Sequence, residues 1–254
     1  MERLNNDINT IIKNYVIFKP KTKNELKRAV DLWCLYKEEA LKQYGHISNW
    51  DTSLINNMRN LFHKKINFND NINFWNVSSV TDMSYMFCYA KSFNQPLNLW
   101  NVSSVIDMSY MFDSTSSFNQ PIDSWDVSNV TNMEDMFAGS LLFNQDISQW
   151  NLSSVTNMSS MFENASSFNQ DISLWNVSNV VFMQNMFSKA SLFNQDISQW
   201  NVSKVTTMWA MFYAAYSFNQ DISKWNITNV DDMDCMFLAA HSFHKKNAPW
   251  YYFY

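Results

Sequence analysis

Glycine is almost missing from this chain, which has two in 254 residues against a usual share of about 7%. Phosphate-cradling loops and dinucleotide-binding turns need several glycines close together, so sites of these two kinds are excluded. Basic residues are also few: 18 Lys and Arg stand against 23 Asp and Glu, for a net charge of -5. Because nucleic-acid-binding surfaces need an excess of basic residues, we expect no nucleic acid partner.

Long apolar runs and a cysteine framework are missing as well. The first residues, M-E-R-L-N-N-D-I-N-T-I-I-K-N-Y, lack the apolar centre of a signal peptide, and no stretch approaches the roughly 18 apolar residues of a membrane span. The cysteines, Cys34, Cys88 and Cys235, are odd in number and lack metal-ligand spacing, which fits a reducing compartment. We expect an intracellular or virion-associated protein without membrane insertion, with surface display as the open alternative.

Tryptophan, phenylalanine and methionine are abundant instead, and an internal repeat accounts for them. The chain has 11, 20 and 16 of these residues. Tryptophan recurs every 25 residues, at positions 50, 75, 100, 125, 150, 175, 200, 225 and 250. A fixed period of about 20 to 50 residues is typical of a repeat array. We therefore divide the chain into an N-terminal cap (residues 1–45), eight 25-residue repeats (46–250) and an aromatic end (251–254).

Two periodicities alternate inside one repeat. Met83, Met86, Phe87 and Ala90 have the i, i+3, i+4, i+7 spacing of a short helix. Residues 97–105 follow the apolar spacing of a leucine-rich repeat, L-x-x-L-x-L-x-x, which places a short strand at each W-N-V step. The predicted fold is a leucine-rich-repeat-like α/β solenoid. Strands stack about 4.8 Å apart and helices about 8–10 Å apart, so we expect a concave strand side and a convex helix side.

The cap and the aromatic end differ from the repeats. Thr22 and Glu25 form the capping box T-K-N-E. Apolar residues at helical spacing follow, up to Gly45 at a C′ position, which predicts one amphipathic helix over residues 22–44. Residues 15–18 are a candidate leading strand. The end, P-W-Y-Y-F-Y, is interpreted as a plug for the last repeat, with an interface as the alternative.

The repeated segments N-V-S-S-V-T-D-M-S-Y-M-F and S-F-N-Q-D-I-S-Q-W-N resemble the BspA-like leucine-rich-repeat surface proteins. That family occurs in bacterial surface lipoproteins, mycoplasmas, protists and large DNA viruses. The resemblance covers about residues 46–250 and implies a solenoid that binds other proteins, often in adhesion. It implies no catalytic residues. This chain departs from the surface members because it shows no signal peptide, lipobox or anchor.

Two polar columns are candidates for chemistry, and for both we favour a structural role. The aspartates at 146, 171, 196 and 221 could form a calcium ladder, but Pro96 and Pro121 occupy equivalent positions and suit a turn. The asparagines at 94, 119, 144, 169, 194 and 219 predict a stacked amide ladder that satisfies turn backbone. The pair His241 and His244 lacks a third metal ligand. We expect no metal, no cofactor and no enzymatic activity.

The positions that break the repeat carry the functional prediction. The residue before each tryptophan varies most, and strand alternation places it on the concave side, where an exposed apolar residue suggests a contact surface. On the helix side, aromatic residues replace polar ones, and exposed Trp and Tyr are common hot-spot anchors. The predicted partner-binding residues are Phe74, Leu99, Leu174 and Lys224 on the first surface and Phe182, Trp209 and Tyr213 on the second.

The sequence thus predicts a non-enzymatic protein–protein interaction solenoid. The alternative is a structural or assembly subunit that self-associates through its ends. We expect a monomer rather than an end-to-end oligomer, with a protein partner whose identity the sequence does not give.

Overall fold

The N-terminal cap contains two helices rather than one. The structure, a computed structural model, describes residues 17–253, with side chains up to residue 251. Helix α1 spans Lys23–Leu35 and helix α2 spans Lys37–Tyr44. The continuous helix predicted over 22–44 is therefore wrong, because Tyr36 has a non-helical backbone (φ −139°, ψ 69°). This break lets α2 pack against α1 instead of continuing its axis.

The ends of these helices follow the predicted capping chemistry. The Thr22 hydroxyl accepts the Glu25 N–H at 3.2 Å. The Glu25 carboxylate accepts the Lys21 N–H at 2.8 Å, one residue earlier than a standard capping box requires. Gly45 ends α2 with φ 72°, a left-handed value that glycine adopts without a steric penalty. The leading strand at 15–18 lies partly outside the described residues, and Ile17 and Phe18 are not in a strand.

The short helix predicted in each repeat is absent from the described repeats. Residues 83–90 and their equivalents, here called the turn segment, form consecutive turns. The N–H groups of Met83, Tyr85, Phe87 and Tyr89 donate to carbonyls of the next repeat, at 2.8–3.0 Å. The N–H groups of the alternate residues 86, 88 and 90 donate three residues back within the same repeat. Each 25-residue unit is thus a coil whose backbone bonds to the following coil.

Two residues in each turn segment have a left-handed backbone. In one coil these are Tyr85 and Tyr89, both with φ 59°, and in the next they are Tyr110 and Ser114. Only one of the equivalent residues is a glycine, Gly139. A left-handed backbone costs a residue with a side chain about 1–2 kcal/mol. The bonds to the next coil stabilise this conformation, because each of these left-handed residues before the last coil donates one of them.

The predicted strand at W-N-V is also absent. In the described residues, β-pairing consists of isolated parallel bridges six or seven positions further on. The bridged residues are Asn57, Asp82, Asp107, Asn132, Asn157, Phe182, Thr207 and Asp232. At the W-N-V step the side chains connect the coils: the Trp100 indole N–H donates to the Ile72 carbonyl at 3.1 Å, and the Trp125 indole N–H donates to that of Leu97 at 3.1 Å.

Aromatic columns fill the core between these connections. Rings at 62, 87, 112, 137, 162, 187, 212 and 237 stack with centroids 5.3–5.8 Å apart. Tryptophan rings of successive coils lie 6.1–6.5 Å apart where they stack. The wider spacing expected on a convex helix side is therefore wrong, because turns replace the helices and both sides stack at similar distances.

The two polar columns form the turn structures that the sequence predicts. The Asn94 side-chain oxygen accepts the Asn119 backbone N–H at 2.9 Å and the Gln120 amide at 3.1 Å, and the pattern continues coil after coil to His244 and Asn247. The Asp171 carboxylate accepts the Ser173 N–H at 2.9 Å. Equivalent turns occur at Asp146, Asp196 and Asp221. The amide ladder and the turn role of the aspartate column are confirmed.

The two ends of the array are covered differently. Helix α1 lies along the first coil: Lys23 bonds Asn57 at 2.6 Å, and the Trp33 indole donates to Asp70 at 2.8 Å. At the other end, Trp250 takes the ninth tryptophan position and donates to the Ile222 carbonyl at 3.2 Å. Tyr251 packs edge-on against Phe237. The aromatic end thus packs on the last coil through residues 250 and 251.

Candidate partner-binding surfaces

The residue before each tryptophan is exposed in every described coil, as the sequence analysis predicts. This pre-Trp column consists of Phe74, Leu99, Ser124, Gln149, Leu174, Gln199 and Lys224. Its three apolar members are 73%, 58% and 79% exposed, for Phe74, Leu99 and Leu174 in turn. The tryptophan that follows each of them is at most 4% exposed, so adjacent positions in the chain separate core from surface.

Phe74 borders a groove between the cap and the first coils. This cap groove has a volume of about 840 Å³ and is lined by the cap on one side and by Trp50 and Phe74 on the other. Ile17 is 63% exposed and Leu41 is 42% exposed, and both line it. Leu41 is one of the apolar residues whose helical spacing predicts the amphipathic helix over 22–44, and it is assigned to the buried face of that helix. That assignment is wrong, because the break at Tyr36 turns Leu41 towards the groove.

Leu99 extends this apolar surface into the next coil. It occupies the pre-Trp position 25 residues after Phe74, and its backbone N–H donates to the Asn73 side chain at 3.1 Å. Leu174 stands three coils further on, between Gln149 and Gln199 of the same column. Lys224 lines a separate polar hollow of about 150 Å³ with Asp196 and Asp221. The column therefore has one apolar end and one polar, charged end.

The second predicted surface is only partly continuous. Trp209 and Tyr213 line one pocket of about 260 Å³, together with Glu163 and Lys189. Phe182 is 42% exposed and lies outside this pocket, bridged through its backbone to Thr207. Lys189 lies 5.9 Å above the Tyr213 ring and 3.7 Å from the Glu163 carboxylate. These residues are here called the Trp209 patch: Phe182, Trp209, Tyr213 and Lys189.

The sequence matches the family described as Mycoplasma protein of unknown function, DUF285, over residues 31–150 and again over residues 139–250. The chain belongs to this family. The two matches together span residues 31–250 and so include all the repeats, which confirms the assignment as a repeat protein. No curated protein and no solved structure matches the chain. Among the described residues, no helix is long and apolar enough to span a bilayer.

This DUF285 member also has an acidic hollow that the sequence analysis missed. Asp113, Asp135, Glu163 and Lys189 line a cavity of about 370 Å³ on the turn segments. Burial, together with the charges of Glu134, Asp113 and Glu163, raises the pKa of Asp135 to about 7. The nearby Tyr110 hydroxyl donates to Glu134 at 2.8 Å. Burial also raises the pKa of Asp113.

The available signal was the acidic residues at 113, 135 and 163, which occupy two turn-segment columns that hold no other acidic residue. The described residues contain no group of three or more His, Cys, Asp or Glu side chains arranged to hold a metal ion. The property of this hollow that an experiment can test is the raised pKa of Asp135.

Proposed function

We propose that this chain is a non-enzymatic protein-binding repeat protein whose main contact surface is the cap groove together with Phe74 and Leu99. The observation that carries the proposal is the exposure of Phe74, 73%, at the edge of an apolar groove of about 840 Å³. Exposed apolar patches rimmed by polar residues commonly mark protein-binding sites. Large aromatic side chains in such patches are frequent hot spots.

The consensus side chains support this choice because the fold already uses them. The tryptophan indoles bond the preceding coil, and the asparagine oxygens bond the following one. Phe74 and Leu99 make no comparable side-chain bond and are not part of the buried core. An apolar side chain that contributes neither to the core nor to the coil connections is available for a partner.

We further propose that the array is a solenoid of the BspA-like, leucine-rich-repeat-related kind. The support is the shared apolar spacing around each tryptophan and the coil-to-coil bonding. The relation to leucine-rich repeats lies in that spacing, since turns stand where a helix was expected. An intracellular or virion-associated location remains part of the proposal.

The experiment compares two matched pairs of substitutions in the full chain. Phe74→Ser with Leu99→Ser places on both positions the residue found at Ser124. Trp209→Ser with Phe182→Asn makes the corresponding change on the Trp209 patch, where equivalent positions hold Ser84 and Asn132. Both variants should keep the melting temperature of the native chain, because the altered side chains are exposed.

Partner capture from the native source, read by quantitative mass spectrometry, should fall with the first pair only. Loss of two hot-spot contacts corresponds to about 2 kcal/mol or more of binding free energy. If the Trp209 pair loses partner capture and the Phe74 pair does not, the binding surface lies on the turn segments instead. Equal capture by all three proteins would refute both surfaces.

Assembly through the ends is the second candidate function. The observation that favours it is the last coil, where four backbone N–H groups find no acceptor among the described residues. Helix α1 covers the opposite end, which favours a monomer over an end-to-end oligomer. Light scattering over a concentration series separates the two candidates, since a constant monomer mass contradicts assembly.

A further inference from the structure

The last coil ends in a row of backbone donors that have no acceptor in the part of the chain that the structure describes. In each preceding coil, four alternate N–H groups of the turn segment donate to carbonyls of the next coil; those of Phe212 and Ala214, for example, bond Met236 and Leu238 at 2.9 Å. The equivalent groups in the last coil belong to Met233, Cys235, Phe237 and Ala239. Among the described residues no carbonyl or side chain accepts them. We call these four groups the donor row.

The side chains around the donor row are unusually exposed for their positions. Phe237 is partly exposed although Tyr251 packs edge-on against it, whereas Phe212 in the preceding coil is 0% exposed. Cys235 is exposed, whereas the equivalent Ala210 is 4% exposed. Leu238 is 56% exposed. The donor row therefore lies beside apolar side chains that a following coil would cover.

The polarity of this edge limits what can pair with it. The carbonyls of Met233, Cys235 and Phe237 already accept N–H groups from residues 236, 238 and 240 of the same coil. The edge thus offers donors at two-residue spacing without matching acceptors. Two copies of the donor row would bring donors against donors, so they cannot form a ladder with each other.

The first coil of a second copy is also unsuited to the donor row. Helix α1 runs along that coil, with Asp31 bonded to Lys65 at 2.6 Å and Lys23 bonded to Asn57 at 2.6 Å. The first coil's core residues Met58, Leu61 and Phe62 are 0% exposed beneath the cap. Coil-to-coil stacking of copies would require this helix to leave.

We propose that the donor row is a docking edge for an extended segment of a partner protein. That segment supplies backbone carbonyls two residues apart and runs parallel to residues 233–239, as each coil does on its neighbour. Addition of a backbone segment to an open edge is a common mode of peptide recognition. The exposed apolar side chains of the last coil favour a segment that has Met, Phe or Leu at the spacing of Met83, Met86 and Phe87 in the turn segment.

This surface is distinct from the cap groove and does not depend on the function proposed for it. Phe74 and Leu99 belong to the coils next to the cap, whereas the donor row belongs to the last coil. The variant Phe74→Ser, Leu99→Ser should therefore bind a docking segment as the native chain does. This prediction keeps the two proposals separable.

The probe is an eleven-residue peptide with the sequence of residues 156–166, T-N-M-S-S-M-F-E-N-A-S. A control peptide carries Ser in place of its two Met and its Phe. Hydrogen exchange of the full chain, resolved by amide, should slow about tenfold at residues 233, 235, 237 and 239 when the first peptide saturates the chain. The control peptide should leave their exchange unchanged.

Cys235 provides a second readout because it is exposed within the row. Alkylation with a bulky maleimide should weaken peptide binding at least about tenfold, measured by fluorescence anisotropy. The matched variant Cys235→Ser keeps the backbone donor and should bind the peptide before and after the reagent alike. Equal weakening in both proteins would show that the reagent acts at another cysteine and would count against the assignment.

Three outcomes would overturn the proposal. The first is an absence of binding at millimolar peptide. The second is binding that leaves exchange at the four amides unchanged. The third is slowing of these amides with protein concentration alone, without peptide, which would assign the edge to a second copy of the chain.

Discussion

Trp150 contributes to the fold through both its ring and its indole N–H. The ring stacks on Trp125 at 6.5 Å and contacts Phe137 at 6.3 Å. Its indole N–H donates to the Ile122 carbonyl at 3.2 Å. Because the side chain is only 3% exposed, removing it leaves a cavity. It also removes one of the two hydrogen bonds to the Ile122 carbonyl, which still accepts the Trp125 backbone N–H.

Trp150→Ala should therefore lower the free energy of unfolding by about 3–5 kcal/mol. The neighbouring change Gln149→Ala should cost less than about 0.5 kcal/mol, since Gln149 is exposed and bonds only the adjacent Ser148. Chemical denaturation of both variants checks the pair. Similar losses for the two would show that the inward and outward positions are wrongly assigned.

Asp135 gives the chain a pH-dependent stability. Burial first, and then the charges of Glu134, Asp113 and Glu163, raise its pKa from the ordinary 3.8 to about 7. The folded chain therefore holds this proton more tightly than the unfolded chain does. The resulting stabilisation is fully present below about pH 4 and is lost as the pH rises towards 7.

Asp135→Asn should thus raise the melting temperature above that of the native chain, and the difference should grow as the pH rises from 4 to 7. Asparagine also suits the left-handed backbone at this position, φ 52°, but that contribution does not change with pH. Asp126→Asn is the control, because a serine lowers the pKa of the exposed Asp126. A pH-independent difference for Asp135→Asn would contradict the raised pKa.

The turn segment shows why a short helix was wrongly predicted in each repeat. The spacing of Met83, Met86, Phe87 and Ala90 fits one face of a helix, and all four side chains are buried. The same spacing also fits stacked turns that bond to the next coil. Glycine is the usual signal of a left-handed backbone, but among the left-handed positions of the turn segments only Gly139 is a glycine. The local sequence therefore did not distinguish a helix from stacked turns.

Two neighbouring serines separate these alternatives. Ser160 has φ 53°, whereas Ser159 does not have a left-handed backbone. Ser160→Gly should keep or raise the melting temperature because glycine relieves the left-handed strain. Ser159→Gly should lower it by the equivalent of about 0.5–1 kcal/mol, plus the loss of its bond to Asn157. Loss of stability in both variants, as in a helix interior, would argue against the turns.

The aspartate column is a second element with a testable role. Asp171 accepts the Ser173 N–H, and Asn71 makes the same turn with Asn73 at 2.9 Å. Asp171→Asn should therefore preserve stability, whereas Asp171→Ala should cost about 1 kcal/mol. Chelators should leave the melting temperature of the native chain unchanged. A rise of several degrees with added calcium would instead support a calcium ladder.

At the scale of the whole molecule, the period of 25 residues predicted the amide ladder and the exposed pre-Trp column. These features follow from identical residues at equivalent positions, as at Asn94 and Asn119. The break at Tyr36 and the cap groove beside Phe74 could not be predicted in this way, because they arise where the cap meets the array and occur once. The donor row is defined by the lack of an acceptor among residues 17–253 and has no sequence pattern of its own.

The account rests on bonds between coils in the turn segments, which NMR can detect directly. The Phe137 N–H donates to the Met161 carbonyl of the next coil at 2.9 Å. In a helix the same N–H would donate to the carbonyl of Met133, four residues back. We predict a through-hydrogen-bond coupling between the nitrogen of Phe137 and the carbonyl carbon of Met161 in the labelled full chain. A coupling from Phe137 to Met133 would contradict the stacked turns and restore the helix.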